Sequence, residues 1–140
     1  MNLPTYLPLL LRFVAACQLF IATLNFFLPR LLNWKDAIQA MPLLVREVFQ
    51  VHAFFISVTC AIFGVLTWRF ADEMVHPPHE MLRWFSVAVG TFWAIRCVMQ
   101  WTHYSPTHWR GLPDKTLAHA LLFCGYLGFA ATYLLAAFVK

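Results

Sequence analysis

Four long apolar stretches alternate with short polar segments along the chain. Each stretch exceeds the about 20 residues that a helix needs to cross the hydrocarbon core of a bilayer. Prolines lie at their borders, where a helix tolerates a proline or is ended by one. The pattern predicts an all-α integral membrane protein, a single domain over residues 1–140, with a bundle of four transmembrane helices at about residues 5–28, 43–68, 81–104 and 116–139.

The connection between the first two spans, from Pro29 to Pro42, has a mixed pattern. Pro29 is expected to end the first helix, because a proline interrupts the helical hydrogen bonds. Beyond it, apolar residues are interleaved with polar ones, as in a helix with one apolar face. We therefore expect a short amphipathic helix at the membrane interface between spans 1 and 2, with Trp34 at the level of the lipid headgroups.

Small and polar residues recur along one face of each span. Because lipid offers no hydrophobic drive for helices to associate, membrane helices meet through small residues and side-chain hydrogen bonds. The expected packing faces are Ala15, Gln18, Ala22 and Asn25; Gln50, Ser57, Cys60 and Gly64; Ser86, Gly90, Ala94 and Cys97; and Ala120, Cys124, Gly128 and Thr132. A second row in the last span, His119, Tyr126 and Tyr133, is spaced by seven residues. Tyr126, near mid-span, is expected to face protein or a cavity.

The composition supports a membrane protein. Hydrophobic residues make up 61% of the chain and charged residues 11%, against about 45–50% and about 25% in soluble domains. The net charge of +4 comes from single cations at span ends, which suits lipid headgroups rather than a nucleic acid. The four cysteines form no C-x-x-C pair, so they indicate packing residues rather than a disulfide framework or zinc site.

The distribution of basic residues predicts an orientation. The loops at 29–42 and 105–115, with their flanking turns, carry one more lysine or arginine than the opposite side, which favours a cytoplasmic location for these loops. The number of spans and the arginine at the start of the first, Arg12, resemble those of compact bacterial four-span proteins such as the DoxX-like group. That resemblance implies a bacterial inner membrane and assigns neither a family nor a role to any residue.

The polar residues within the spans gather toward one side of the membrane. Arg96, Gln100 and His103 follow i, i+4 and i+7 and so share one helical face. An arginine inside a span costs roughly 2.5–3.5 kcal/mol on insertion scales, so it needs a partner. Either Arg96 pairs with Glu47, the one acid within a predicted span, or it extends to the headgroups. The predicted one-sided polar pocket comprises Glu47, Arg96, Gln100, His103 and His119, with Asn25 and Tyr126 in support.

The sequence favours one function, an accessory or structural subunit, and leaves two alternatives. An accessory or structural subunit, packed against a larger membrane partner or a second copy, suits the small size and the absence of a recognised catalytic motif. A haem- or metal-binding redox protein would use histidines from two helices: His52 with His119, or His103 with His119, around haem b. The histidines and Glu47 match no known metal-binding spacing. A lipid- or quinone-binding protein would place Arg96 on the ligand and a histidine as acid or base.

Overall fold

The computed structural model describes residues 3–76, 79–104 and 113–138, and it is helical almost throughout these ranges. The helices are α1 (Leu3–Leu31), α2 (Lys35–Gln39), α3 (Leu43–Phe70), α4 (Glu80–Thr102) and α5 (Pro113–Phe138). All but α2 are long and apolar enough to cross a membrane. The predicted fold class, a four-span all-α membrane protein, is confirmed.

The first helix ends at a left-handed turn rather than at its proline. α1 continues through Pro29 to Leu31, so the prediction that Pro29 ends it is wrong. Asn33 has a φ of 53°, and its N–H donates to the Arg30 carbonyl at 3.3 Å. The Trp34 N–H donates to the Pro29 carbonyl at 2.9 Å. This pair of bonds around a left-handed residue is a Schellman motif, which stops a helix by satisfying its last carbonyls.

The predicted interfacial helix is present but short. α2 covers five residues, Lys35–Gln39, of the segment between Pro29 and Pro42. Ile38 is its buried residue, and the other four side chains are exposed. The helix therefore has one apolar contact and an otherwise polar surface. Its position at a membrane interface stays a prediction.

The chain folds as two compact units, of which one comprises Arg12–Phe70. Here α1 and α3 meet at Gly64, where an added Cβ would lie 2.8 Å from Leu19 Cγ and 3.1 Å from the Ala15 carbonyl oxygen. Ser57 and Cys60, which share this face of α3, are buried. The close approach of the two helices thus uses small residues, as predicted for these two spans. The prediction is wrong for Gln50, which is exposed.

The other unit comprises residues 1–11 and 71–140 and contains the packed pair α4 and α5. An added Cβ at Gly90 of α4 would lie 2.9 Å from Leu134 Cγ and 3.2 Å from Tyr133 Cβ. The small residues predicted for α4 therefore do form its packing face. The small-residue face predicted for α5 is wrong for three of its four residues: Ala120 and Cys124 are exposed, and an added Cβ at Gly128 meets no atom within 4 Å, whereas Thr132 is buried.

Among the described residues of α5, seven are buried: three are aromatic and the other four are alanine or threonine. They are Tyr126, Phe129, Ala130, Thr132, Tyr133, Ala136 and Ala137. Tyr133 is fully buried, at 0% exposure. The physical reason is complementarity, because a hollow surface on α4 leaves room for aromatic side chains on its neighbour. At Gly90 the small residue belongs to α4, and the larger side chains that it meets, Tyr133 and Leu134, belong to α5.

Candidate functional site

The Arg96 side chain contacts two tyrosines. Its guanidinium carbon lies 4.7 Å from the ring centroid of Tyr126 and 5.7 Å from that of Tyr104. One guanidinium nitrogen, Nη2, donates to the Tyr104 hydroxyl at 3.4 Å. A cation over an aromatic face is stabilised by about 0.5–2 kcal/mol, with the larger values at desolvated sites. The two aromatic rings therefore offset part of the unfavourable free energy of placing this charge in a span. Glu47 belongs to the other unit, and its pairing with Arg96 stays a prediction.

Tyr126 is held in place by an aromatic cluster between α4 and α5. Its ring stacks on Trp93 with centroids 5.4 Å apart and planes 17° apart, and Trp93 meets Phe129 edge-on at 5.0 Å. Trp93 and Tyr126 are 2% and 7% exposed. The expectation that Tyr126 faces protein is confirmed. Because Trp93 and Arg96 are three residues apart on one helix, both lie against the same tyrosine.

Gln100 and His119 form the polar link between α4 and α5. The Gln100 Nε2 and the His119 Nδ1 are 2.9 Å apart. With the amide nitrogen as donor, Nδ1 is the acceptor and a neutral imidazole carries its proton on Nε2. Interhelical hydrogen bonds of this kind contribute about 0.6 kcal/mol on average, and up to about 1.7 kcal/mol. Two residues of the predicted pocket are thereby brought together.

Two buried polar atoms of α4 lack a hydrogen-bond partner among the residues that the structure describes. They are Trp93 Nε1, a donor, and Gln100 Oε1, an acceptor. Trp93, Arg96 and Gln100 are spaced by three and four residues, so a donor, a cation and an acceptor follow one another along a single face. We call Trp93, Arg96, Gln100 and His119 the polar row. Trp93 was missed at the sequence level, although its spacing from Arg96 is the signal that identifies it.

The remaining predicted residues lie elsewhere. His103 is exposed at the C-cap of α4, where its backbone N–H donates to the Met99 carbonyl at 3.0 Å. Asn25 is half-buried on α1 and Glu47 is exposed on α3, both in the unit of residues 12–70. Their convergence with the polar row stays a prediction.

The haem and metal alternatives gain no support from the geometry. His52 is exposed, and its Nδ1 lies 2.9 Å from the Val48 carbonyl one turn earlier in the same helix. Within residues 3–76, 79–104 and 113–138, no three His, Cys, Asp or Glu side chains come close enough together to hold a metal ion. Pairing of His119 with His52 or His103 around haem b stays a prediction.

Comparison with protein-family models, with curated proteins and with solved structures finds no match for this chain. The interpretation of the polar row therefore depends on its own residues and their contacts.

Proposed function

We propose that the chain is an integral membrane protein that binds a lipid-soluble molecule with an oxygen-bearing headgroup, of the quinone or fatty-acid class, at the polar row. The observation that carries this proposal is the set of unused polar atoms on α4, Trp93 Nε1 and Gln100 Oε1, next to the Arg96 charge. In hydrocarbon, a polar group without a partner costs several kcal/mol. A ligand that supplies both an acceptor and a donor would relieve this cost.

Each member of the polar row has a definable role in such binding. Arg96 and the Trp93 N–H suit a carbonyl or carboxylate oxygen, because both are donors. Gln100 Oε1 suits the hydroxyl of a quinol or a protonated acid, because it is an acceptor, and His119 orients the Gln100 side chain by accepting from its Nε2. Placement in a bacterial inner membrane, with the loops at 29–42 and 105–115 cytoplasmic, belongs to the same proposal.

Removal of the Arg96 charge is expected to weaken ligand binding. In mild detergent, Arg96→Gln should bind oleate about 10–100-fold more weakly than the wild type, since a hydrogen bond to a charged group contributes about 1.5–3 kcal/mol. The measurement is a calorimetric titration with oleate, repeated with decylubiquinone. Arg83→Gln is the matched control, because Arg83 is an exposed cation of the same helix, over Phe138 at 5.9 Å. Equal affinities in the two variants, or no binding by the wild type, would contradict the proposal.

A second candidate is the accessory or structural subunit, and the exposure of α3 favours it. In the most apolar 18-residue stretch of α3, only 17% of the residues are buried, against 39% in the corresponding stretches of α1 and α5. A partner helix would cover such a surface. Under this proposal, a photo-crosslinking residue placed at Phe55 of α3 (61% exposed) forms adducts with other proteins in the native membrane. The same residue placed at Phe20 of α1 (67% exposed) should form fewer protein adducts. Lipid adducts alone at both positions would contradict it.

A further inference from the structure

A cleft with three basic side chains lies in the unit of residues 12–70, separate from the polar row. Its volume is about 520 Å³, and its polar lining consists of Arg30, Asn33, Lys35, Gln39, Arg46 and Gln50. Pro29 and Ile38 complete the lining. No acidic residue is among these, and we call this site the basic cleft.

The local structure explains why the three cations meet. Arg30 is in the last turn of α1, Lys35 is the first residue of α2, and Arg46 is in the first turn of α3. The left-handed Asn33 ends α1, and α2 begins only two residues later. Each of the three helices therefore contributes one positive charge to one opening.

The side-chain donors of the basic cleft meet no acceptor within the described part of the chain. Among the residues that the structure describes, none of its six polar side chains has a side-chain hydrogen bond or an ion pair. Asp36 and Glu47, the sequence neighbours of Lys35 and Arg46, are exposed and likewise form no ion pair within this unit. Like charges brought together without an acid are unfavourable unless an anion joins them. Planar guanidinium groups also suit the paired oxygens of a phosphate.

We infer that the basic cleft binds the phosphate group of an anionic membrane lipid. The cleft lies where two spans end, which is the level of the headgroups for a helix that crosses a bilayer. Its borders in the sequence carry exposed leucines that would meet acyl chains, namely Leu31 (59%), Leu32 (50%), Leu43 (61%) and Leu44 (71%). A free phosphate ion has no acyl chains and would make no contact with these leucines. The site is independent of the polar row and does not need the proposed function to be correct.

The test measures which lipids stay bound. The full chain is placed in nanodiscs of equal parts phosphatidylglycerol and phosphatidylcholine, and the retained lipids are counted by native mass spectrometry. The wild type should retain phosphatidylglycerol over phosphatidylcholine. The triple variant Arg30→Gln/Lys35→Gln/Arg46→Gln should lose this preference by about tenfold. Each single variant should lose part of it, which keeps the test valid if the triple variant folds poorly.

The matched control removes three cations elsewhere, as Arg69→Gln/Arg83→Gln/Lys115→Gln, and should keep the preference. An equal loss in both triple variants would show a general charge effect and overturn the inference. An unchanged preference in the cleft variant would overturn it as well. A third arm adds inorganic phosphate: if phosphate abolishes lipid retention, the site belongs to a free anion. Oleate binding by the cleft variant should be normal, which separates this result from that of the polar row.

Discussion

Replacement of Trp93 with alanine is expected to lower the free energy of unfolding by about 3–5 kcal/mol, the usual cost of deleting a buried aromatic side chain. Trp93 is 2% exposed, and its indole contacts the rings of Phe92, Tyr126 and Phe129. The change would leave a cavity between α4 and α5 and would remove the stacking surface of Tyr126. The measurement is unfolding by sodium dodecyl sulfate in mild detergent, followed by circular dichroism.

Two further variants separate packing from hydrogen bonding at this position. Trp84→Ala is the matched control, because Trp84 lies on the same helix and is 65% exposed; its effect should stay within about 0.5 kcal/mol. Trp93→Phe keeps an aromatic ring and removes the unpartnered N–H, so it should cost much less than alanine. It should nevertheless weaken decylubiquinone binding if the indole N–H is a ligand donor. Equal losses for Trp93→Ala and Trp84→Ala would show that the aromatic cluster does not stabilise the helix pair.

The second large effect is expected at Gly90. Valine at this position should destabilise the protein by about 1–3 kcal/mol, the usual cost of overpacking. Even its Cβ would lie 2.9 Å from Leu134 Cγ and 3.2 Å from Tyr133 Cβ, and the latter atom is fixed to the backbone. The helices would have to separate locally, and this would loosen the contacts next to Gly90. The measurement is the same detergent unfolding.

The chain provides a control for this substitution in the opposite helix. Gly128→Val places the same side chain on α5 at a position where an added Cβ meets nothing within 4 Å. Its effect should stay within about 0.5 kcal/mol. Leu134→Ala should partly restore the stability of Gly90→Val, because it removes the side chain that the valine strikes. Similar losses at both glycines would contradict the conclusion that the close approach at Gly90 causes the loss, since helix propensity alone favours valine over glycine.

The spans were predictable because length and apolar content suffice to identify a membrane helix. The packing faces of the spans were harder to predict. Small residues are one way to bring two membrane helices together, and a sequence does not tell whether both helices use them. At the contact of α4 with α5, Gly90 lies against Tyr133 and Leu134 of the other helix. The row of Tyr126 and Tyr133, which is visible in the sequence, therefore indicated the packing surface of α5 better than Cys124 and Gly128 did.

The partner of Arg96 was harder to predict for a related reason. A search for opposite charge leads to Glu47 or to the headgroups, whereas the contacts described for Arg96 are with the aromatic rings of Tyr104 and Tyr126. An aromatic face attracts a cation through its quadrupole, and such partners are too common in a chain with this aromatic content to be singled out. Trp93 was not singled out for the same reason, because it is one of six tryptophans in the chain. Gln100 and His119, by contrast, were both predicted for the polar pocket, and the structure brings them together.

The left-handed turn at Asn33 connects the length of α1 to the composition of the basic cleft. Asn33 has a positive φ, and asparagine is among the few residues other than glycine that adopt such a φ readily. If α1 continued for another turn, Lys35 would lie on the same helix as Arg30, more than one turn farther along its axis. The spacing of positive charge across three helices thus depends on the backbone conformation of one residue.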